Sequence, residues 1–261
     1  MKADTLPSPL RYGEAHVYIL GSIESLGASA ADRAAHLIRE AIAKRDHARI
    51  MIATGNSQLG FIGALVRDKS VDWTKVEAFH MDEYVGLKAS DPSSLRYWIR
   101  TKVEPFARIA QLHYVEGAAA DVDSEVQRYS RLLDAAPIDV AFVGFGENGH
   151  VAFNDPDAAD FSDPATMKVV AIDEGSQRQQ VGEGHFKDIA SVPKTAVTVT
   201  CTALMRAKAW VCSVPERRKA EAVRRALEGP ITPACPASIV RRHPQAYVFL
   251  DPESSALLAR K

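Results

Sequence analysis

The sequence is poor in cysteine and has almost no net charge. Its three cysteines, Cys201, Cys212 and Cys235, are an odd number without metal-ligand spacing, so no disulfide framework is expected and reduced thiols are the default. With 32 basic and 33 acidic residues the formal charge is −1, which gives no global field to attract nucleic acid or an anionic membrane. Neither is expected as a partner, and a small anionic ligand would have to be held by a few placed groups.

Long apolar runs, repeats and low-complexity segments are also missing. Residues 1–18 contain no apolar core of signal-peptide length, and no apolar stretch approaches the length of a membrane span. We therefore expect a soluble protein of the cytoplasm. Apolar residues make up 46% and charged residues 25% of the chain, an ordinary globular composition that argues against disorder. Residues 1–261 suffice for one sizeable core and show no compositional break, so a single domain is expected.

Short β-branched runs alternate with longer amphipathic segments. Strands are predicted to begin at His16, Arg49, Val76, Leu112, Ile138, Met167, Ala196, Ala207 and Gln245, and helices to cover residues 30–45, 59–67, 93–103, 122–133 and 217–227. This alternation predicts βαβ units, and the expected fold class is α/β: a single-domain Rossmann-like sandwich with a mostly parallel central sheet and helices on both faces. Ligands of such folds bind beyond the carboxyl ends of strands, and three polar clusters follow predicted strands.

The first polar cluster is ATGNS, residues 53–57, directly after a buried strand. A glycine permits a tight turn, and the following amides, the Ser57 hydroxyl and the positive end of the next helix can bind an oxyanion. An ordinary turn with a helix N-cap explains the same residues equally well. The cluster is neither a GxGxxG fingerprint nor a Walker loop, which argues against dinucleotide or nucleoside triphosphate binding.

The second cluster is FHMDEYVGL, residues 79–87, in which Asp82 and Glu83 end an apolar strand. Neighbouring side chains of a strand point to opposite sides, so only one of the two acids is expected to face a cleft. A carboxyl group in a partly dry site can have a raised pKa and act as a proton shuttle. Spacing alone favours the alternative, a helix N-cap with a solvated acid.

The third cluster is VGFGENGHVAFNDP, residues 143–156, a glycine-rich loop that ends in His150. Imidazole suits proton transfer near neutral pH, and Asn148 or Asp155 could fix its tautomer. A structural loop histidine is the alternative. The sequence shows no nucleophile elbow for serine-triad chemistry and no HxH or HExxH spacing for a metal.

Together and in this order, the three clusters resemble the glucosamine-6-phosphate deaminase/isomerase family, which shares a superfamily with 6-phosphogluconolactonase. The family pattern runs from a TGxTP-like loop through MDEYVGL and GxGxxGHxAFNEP blocks to a VPKxAxT block and a GxxKA-like helix start. This sequence has ATGNS, MDEYVGL, GFGENGHVAFNDP, VPKTAVTVT and ERRKA at these places. The similarity covers nearly the whole chain, and MDEYVGL with GHVAFND is a highly specific combination.

The resemblance implies a reaction without metal or organic cofactor. The ring of a 2-amino-2-deoxyhexose 6-phosphate opens, the C2 proton moves to C1, and the C2 imine is hydrolysed to a ketose phosphate and ammonia. Asp82 matches the proton-shuttle position and His150 the ring-opening position, with Asn148 and Asp155 completing the catalytic set. The positions matched to substrate and phosphate binding are Thr54, Gly55, Asn56, Ser57, Glu83, His185 and Lys219.

Three positions depart from the family pattern. Asn148 stands where the family has aspartate, and an amide can orient an imidazole but adds no charge. Asp155 stands where the family has glutamate and has a shorter arm. His185, in EGHF, replaces a phosphate-binding arginine, and a histidine offers fewer donors and only partial charge. Arg178 lies near enough in sequence to compensate. A related but different sugar therefore stays open.

Two other functions also stay open. The fold and the GHxA-type histidine would serve a 6-phosphogluconolactonase, although the lactonase counterpart of MDEY typically reads DER. A sugar-phosphate sensor that lost catalysis would explain the changes at Asn148, Asp155 and His185, whereas the retention of Asp82 and His150 argues against it. The resemblance allows monomers through hexamers, and we favour a homo-oligomer.

Overall fold

Strands and helices alternate along residues 7–259, the part of the chain that the computed structural model describes. The strands are β1 (Leu10–Tyr12), β2 (Ala15–Ile19), β3 (Ala48–Ile52), β4 (Val76–His80), β5 (Asp82–Tyr84), β6 (Gln111–His113), β7 (Val140–Val143), β8 (Met167–Ala171), β9 (Thr195–Val199), β10 (Ala209–Val214) and β11 (Ala246–Leu250). The helices are α1 (Ile23–Arg45), α2 (Leu59–Leu65), α3 (Leu95–Lys102), α4 (Val122–Asp134), α5 (Glu174–Gly182), α6 (Cys201–Met205) and α7 (Ala220–Glu228). The extent of the domain over residues 1–261 stays a prediction, because residues 1–6, 260 and 261 lie outside the described part.

Eight strands form the central sheet, in the order β1-β2-β11-β10-β7-β3-β4-β6. Strand β1 pairs antiparallel with β2, and the other neighbours are parallel. Ile50 and Ile52 of β3 pack into the core formed with α1, α2 and α3, whereas Met51 packs into the core on the opposite face, with α4 and α7. The expected α/β sandwich with a mostly parallel sheet and helices on both faces is confirmed.

A second, three-stranded antiparallel sheet, in the order β5-β9-β8, begins at the carboxyl end of β4. The strand predicted from Val76 is interrupted at Met81, and the chain leaves the central sheet there to pair with β9. In this pairing Asp82 lies opposite Thr198, and Glu83 lies opposite Val197. Pairing with β9, more than a hundred residues further along the chain, therefore holds β5 at the carboxyl end of the central sheet.

Some boundaries differ from the predicted ones. Helix α1 begins at Ile23 rather than at residue 30, because Ser22 and Ser25 form a capping box. Strand β1 and helices α5 and α6 were not predicted. The sequence of α5, EGSQRQQVG, has no apolar stripe, and the Asp173 side chain caps its first turn. No helix found in residues 7–259 combines the length and the apolar content that crossing a bilayer requires.

Candidate active site

A cleft of about 790 Å³, its open mouth included, lies where β3, β4, β7 and β10 end. Its walls are the segments that follow these strands, together with the start of α3 and the end of α5. This is the expected place for a ligand in a parallel α/β sheet. Seven of the eleven predicted site residues line the cleft: Thr54, Gly55, Ser57, Asp82, His150, His185 and Lys219. The other four, Asn56, Glu83, Asn148 and Asp155, are not part of its lining.

Asp82, the first residue of β5, lines the cleft but is only 7% exposed. Burial, and secondly the charge of Glu83, raise the pKa of its carboxyl group to about 8. With this pKa the group holds its proton at neutral pH and releases it in mildly alkaline solution. A carboxyl poised in this way can both take up and deliver a proton. The alternative of a solvated acid is wrong, because burial leaves the side chain little contact with water.

Glu83 points away from the cleft and is 1% exposed. Its Oε2 accepts hydrogen bonds from the Ser94 hydroxyl (2.7 Å) and the Arg96 amide (2.8 Å), and its Oε1 from the amides of Leu95 (3.1 Å) and Tyr84 (2.9 Å). Burial raises the pKa of Glu83, and these donors oppose the rise. The predicted contact with substrate is thus replaced by a contact with the N-terminus of α3. The expectation that only one of the two acids faces the cleft agrees with this arrangement.

His150 lines the cleft with its ring anchored through Nδ1. This nitrogen lies 2.8 Å from Asn148 Oδ1, 2.9 Å from Ser176 Oγ and 3.1 Å from Asp155 Oδ1. The amide oxygen and the carboxylate are acceptors, so Nδ1 carries the hydrogen and Nε2 is left to exchange protons in the cleft. Asn148 and Asp155 therefore stand behind the histidine, where they fix its tautomer.

Asp155 supplies the negative charge that Asn148 lacks. Burial raises the pKa of Asp155, but hydrogen bonds and charge from His150, with hydrogen bonds from Ser176 and Asn148, outweigh burial and bring it to about 2. Ser176 Oγ lies 2.5 Å from Asp155 Oδ1. The shorter arm of aspartate thus reaches the imidazole directly and also through a hydroxyl. Ser176 belongs to α5, and no sequence motif indicated its role.

The amide of Asn148 also explains why a carboxylate is absent at this position. Its Nδ2 donates to Asp155 Oδ1 (2.9 Å) and to Asp173 Oδ2 (2.7 Å), while its Oδ1 faces His150. An aspartate at 148 would place its carboxylate within hydrogen-bonding distance of two others, those of Asp155 and Asp173. The neutral amide bridges the other two instead.

The glycine spacing of the third cluster has a steric cause. The His150 ring packs directly on Gly146, and a Cβ atom at position 146 would lie 2.2 Å from the ring atoms Cε1 and Nδ1. Only glycine leaves room for the imidazole at this depth in the loop. The backbone of this loop therefore packs against the histidine ring and fixes its position.

Another part of the cleft wall, the lysine end, is formed by the turn after β3 and by Lys219. Gly55 has a φ of 97°, which favours glycine, and it directs the chain into a short 3-10 turn, Asn56–Gln58, that precedes α2. Thr54, Gly55 and Ser57 line the cleft here together with Lys219. The side chain of Asn56 instead donates to the carbonyl oxygen of Glu183 (3.2 Å) and ties the turn to the end of α5.

Lys219, the cation of this end, is 2% exposed and has an anionic neighbour that sequence reasoning missed. Glu183 Oε1 lies 3.8 Å from Lys219 Nζ, and Glu183 Oε2 lies 3.4 Å from His185 Nε2. Burial lowers the pKa of Lys219, and the charge of Glu183 opposes that effect. The sequence EGHF marks this segment as a departure from the family pattern, but nothing in the sequence indicates that its glutamate, Glu183, lies beside Lys219. Arg178 does not line the cleft and pairs with Glu174 on the surface.

Fold and cleft together define a class of protein: a parallel α/β sandwich with a buried acid, an anchored histidine and a buried lysine lining one cleft. Residues 21–249 match the sequence model of the family described as glucosamine-6-phosphate isomerases/6-phosphogluconolactonase. The chain belongs to this family.

Relatives of the chain carry the deaminase name. A glucosamine-6-phosphate deaminase of Bacillus thuringiensis (strain Al Hakam) is 33% identical over 221 residues, which are 85% of this chain and 82% of the relative. A solved structure described as a monomeric glucosamine-6-phosphate deaminase superposes with a TM-score of 0.85 and 29% identity, over 93% of this chain and 99% of its own. A 6-phosphogluconolactonase of Thermotoga maritima has a TM-score of 0.74 and 18% identity, over 91% of this chain and 99% of its own, and shares the fold.

Proposed function

We propose that the protein is an amino-sugar-phosphate deaminase/isomerase. Its substrate is a 2-amino-2-deoxyhexose 6-phosphate, glucosamine 6-phosphate foremost, and its products are fructose 6-phosphate, or the matching ketose phosphate, and ammonia. One observation carries the proposal: a carboxyl group with a pKa near 8, Asp82, lines the same cleft as a histidine whose Nδ1 is fixed by a carboxylate, Asp155. The deaminase relatives at 33% identity support the choice of substrate.

The proposed chemistry uses these groups in turn. His150 Nε2 takes the proton of the O1 hydroxyl and delivers it to the ring oxygen, and the bond between C1 and the ring oxygen breaks to give the open aldehyde. Asp82 as carboxylate removes the proton from C2 and returns it to C1, while one proton of the substrate ammonium group passes to O1, which leaves an alcohol at C1 and a protonated imine at C2. Water adds to the imine carbon, and ammonia leaves. The positive charge of the substrate amine beside Asp82 favours the ionised carboxylate at the moment when a base is needed.

The distal end of the substrate is proposed to lie at Lys219. The Gly55 turn, with Thr54 and Ser57, and His185 line the same cleft as Lys219. A lysine and an amide-rich turn together suit an oxyanion. Asn56, Glu83, Asn148 and Asp155 are proposed to act by positioning other groups.

Ammonia release from a small panel tests the proposal: glucosamine 6-phosphate, galactosamine 6-phosphate and their unphosphorylated forms. We expect Asp82→Asn to abolish turnover, because the amide cannot take up the C2 proton. Asp123→Asn, at an exposed position in the first turn of α4, is the control and should retain activity. No ammonia or ketose from any sugar, or full turnover by Asp82→Asn, would refute the mechanism.

Lactone hydrolysis is the second candidate, because a histidine oriented by Asp155 could equally activate water for attack on 6-phosphogluconolactone. That reaction does not need a buried carboxyl with a raised pKa at Asp82. A coupled assay on 6-phosphogluconolactone separates the two enzymes. A sensor without catalysis needs neither proton-exchanging group, and tight binding of a sugar phosphate without turnover would support it.

Location and assembly are parts of the same proposal. We place the protein in the cytoplasm, with a small sugar phosphate as its ligand and without nucleic acid or membrane as partner. The predicted homo-oligomer is kept as a proposal, although one solved relative is described as monomeric. Light scattering decides it: a mass of 28.4 kDa identifies a monomer, and a multiple supports the oligomer.

A further inference from the structure

The lysine end of the cleft carries more negative than positive formal charge. Two cations, Lys219 and Arg218, share a network with three carboxylates: Glu183 contacts both, while Glu147 (3.3 Å) and Glu216 (2.5 Å) contact Arg218. Of the three carboxylates, Glu183 alone lines the cleft. A ligand that reaches Lys219 therefore meets a carboxylate beside it.

Glu183 is fixed in this position and cannot easily swing into solvent. Its side chain is 6% exposed, and its Oε1 accepts hydrogen bonds from Arg218 Nη1 (2.8 Å) and Gln179 Nε2 (2.8 Å). Burial raises its pKa, but the His185 contact and the charges of Lys219 and Arg218 outweigh burial and bring the pKa to about 2. The carboxylate is consequently charged throughout the pH range in which the protein would work.

A phosphate dianion is a poor partner for such a group. The dianion of a phosphate monoester has only acceptor oxygens, so it can donate no hydrogen bond to Glu183, and its charge is repelled at short range in a partly dry site. A free hydroxyl group, or a singly protonated phosphate, carries an O–H that can donate to the carboxylate while its other oxygen atoms accept from the lysine or the turn.

We propose that Glu183 is a specificity-determining residue that weakens binding of a phosphate dianion, so that amino sugars with a free 6-hydroxyl are substrates alongside the 6-phosphates. The inference rests on the proposed function for its substrate class. Its physical part, the effect of one carboxylate on anion affinity, can be measured without turnover.

The binding test compares Glu183→Gln with the unmodified protein, with two phosphate monoester dianions, methyl phosphate and glucitol 6-phosphate, as probes in calorimetry at pH 8. Glutamine keeps an oxygen that accepts from Arg218 and removes the charge. We expect both dissociation constants to fall at least tenfold. Glu147→Gln is the matched control, because Glu147 also contacts Arg218 but is 40% exposed and does not line the cleft. Dissociation constants unchanged within twofold in Glu183→Gln, or an equal fall in Glu147→Gln, would overturn the proposal.

A second variant separates charge from shape. Glu183→Asp keeps the carboxylate, so its phosphate affinity should stay within about threefold of the unmodified protein. A tenfold gain in this variant as well would mean that side-chain size and not charge controls binding, and the proposal would be wrong. Thermal melting of both variants verifies that they are folded.

The kinetic test measures the ratio of kcat/KM for glucosamine 6-phosphate to kcat/KM for glucosamine. Glu183→Gln should raise this ratio at least tenfold, chiefly by lowering KM for the phosphorylated sugar, with kcat little changed. An unaltered ratio, or a change confined to kcat, counts against a role in specificity. If the unmodified protein released no ammonia, the proposed function would fail, and the calorimetric comparison would still decide the role of Glu183.

Discussion

The pKa of Asp82 links its burial to the pH dependence of the proposed reaction. Because this pKa lies near 8, the carboxylate that is proposed to abstract the C2 proton is the minor form at pH 6 and the major form at pH 9. We expect kcat/KM to rise over this range with an inflection near pH 8. The same inflection should occur with phosphorylated and unphosphorylated amino sugar, which excludes titration of the substrate phosphate as its origin. A flat profile, or one that falls from pH 6 to 9, would contradict the assignment.

A second prediction at the scale of single residues concerns the histidine assembly, which is His150 with the three residues around its Nδ1. These are Asn148, Asp155 and Ser176. Asp155→Asn removes the charge that faces His150 Nδ1 at 3.1 Å, and Ser176→Ala removes only the bridging hydroxyl. We expect kcat to fall about 100-fold in the first variant and about 10-fold in the second, with KM nearly unchanged, because neither side chain lines the cleft. Steady-state kinetics provide the measurement.

The exposed Ser162→Ala serves as the control for the loss of a hydroxyl. Should Asp155→Asn retain half or more of the original kcat, the carboxylate would be a structural neighbour of the histidine and nothing more. A rise in KM with unchanged kcat would likewise speak against a role in proton transfer.

At the scale of secondary-structure elements, the sequence predicted the strands that are buried in the central sheet. It did not predict helix α5, which is held in place by polar contacts. Buried apolar runs such as residues 50–52 identified the central strands, because apolar residues on both faces leave a continuous signal. Helix α5 has no such signal, since its Gln179 and Gln180 line the cleft and its Ser176 contacts His150. Asp173 can be recognised as its N-cap only once the end of the preceding strand, β8, is known.

The turn that begins α7 stores backbone strain. Glu216 has a φ of 81° and a ψ of 145°, a region that favours glycine, and the family pattern has glycine at this place. We expect Glu216→Gly to stabilise the protein by about 1 kcal/mol, measured by urea unfolding. Arg218 keeps its contacts with Glu183 and Glu147 in this variant.

Glu216→Ala distinguishes the backbone effect from the charge effect, because it removes the carboxylate but retains Cβ. The glycine variant should be the more stable of the two by a similar amount. Equal stability of the two variants would show that the backbone at this position is unstrained.

At the scale of the whole molecule, a buried acid with a raised pKa makes stability depend on pH. In the unfolded chain Asp82 ionises near its ordinary pKa of 3.8, whereas in the folded protein it ionises near 8. Its contribution to folding is complete below pH 3.8 and is lost as pH rises towards 8, at up to about 1.4 kcal/mol per pH unit. The stability of Asp82→Asn relative to the unmodified protein should therefore increase by about 2 kcal/mol between pH 5 and pH 7. Urea unfolding of both proteins at the two pH values measures the difference, and an equal difference at both would disprove the linkage.

The candidate site was predictable where motifs mark it and unpredictable where only tertiary contacts do. Asp82, His150 and Lys219, separated by more than 130 positions, follow three different strands, and their sequence blocks placed them in one site. Glu183 and Ser176 come from a polar helix whose packing against the other segments no local pattern encodes. Glu83 matched a motif but uses its carboxylate on α3, because β5 turns it to the opposite side from Asp82.

The contact between His150 and Gly146 restricts which residue the chain can carry at position 146, although the glycine is not one of the reacting groups. Every codon change that replaces the glycine introduces a Cβ atom, and that atom would overlap the imidazole ring. A saturation library scored for growth on an amino sugar should therefore tolerate position 146 as poorly as position 150, although the glycine itself exchanges no proton. A list of catalytic residues drawn only from such a scan would wrongly include Gly146, whose contribution is purely steric.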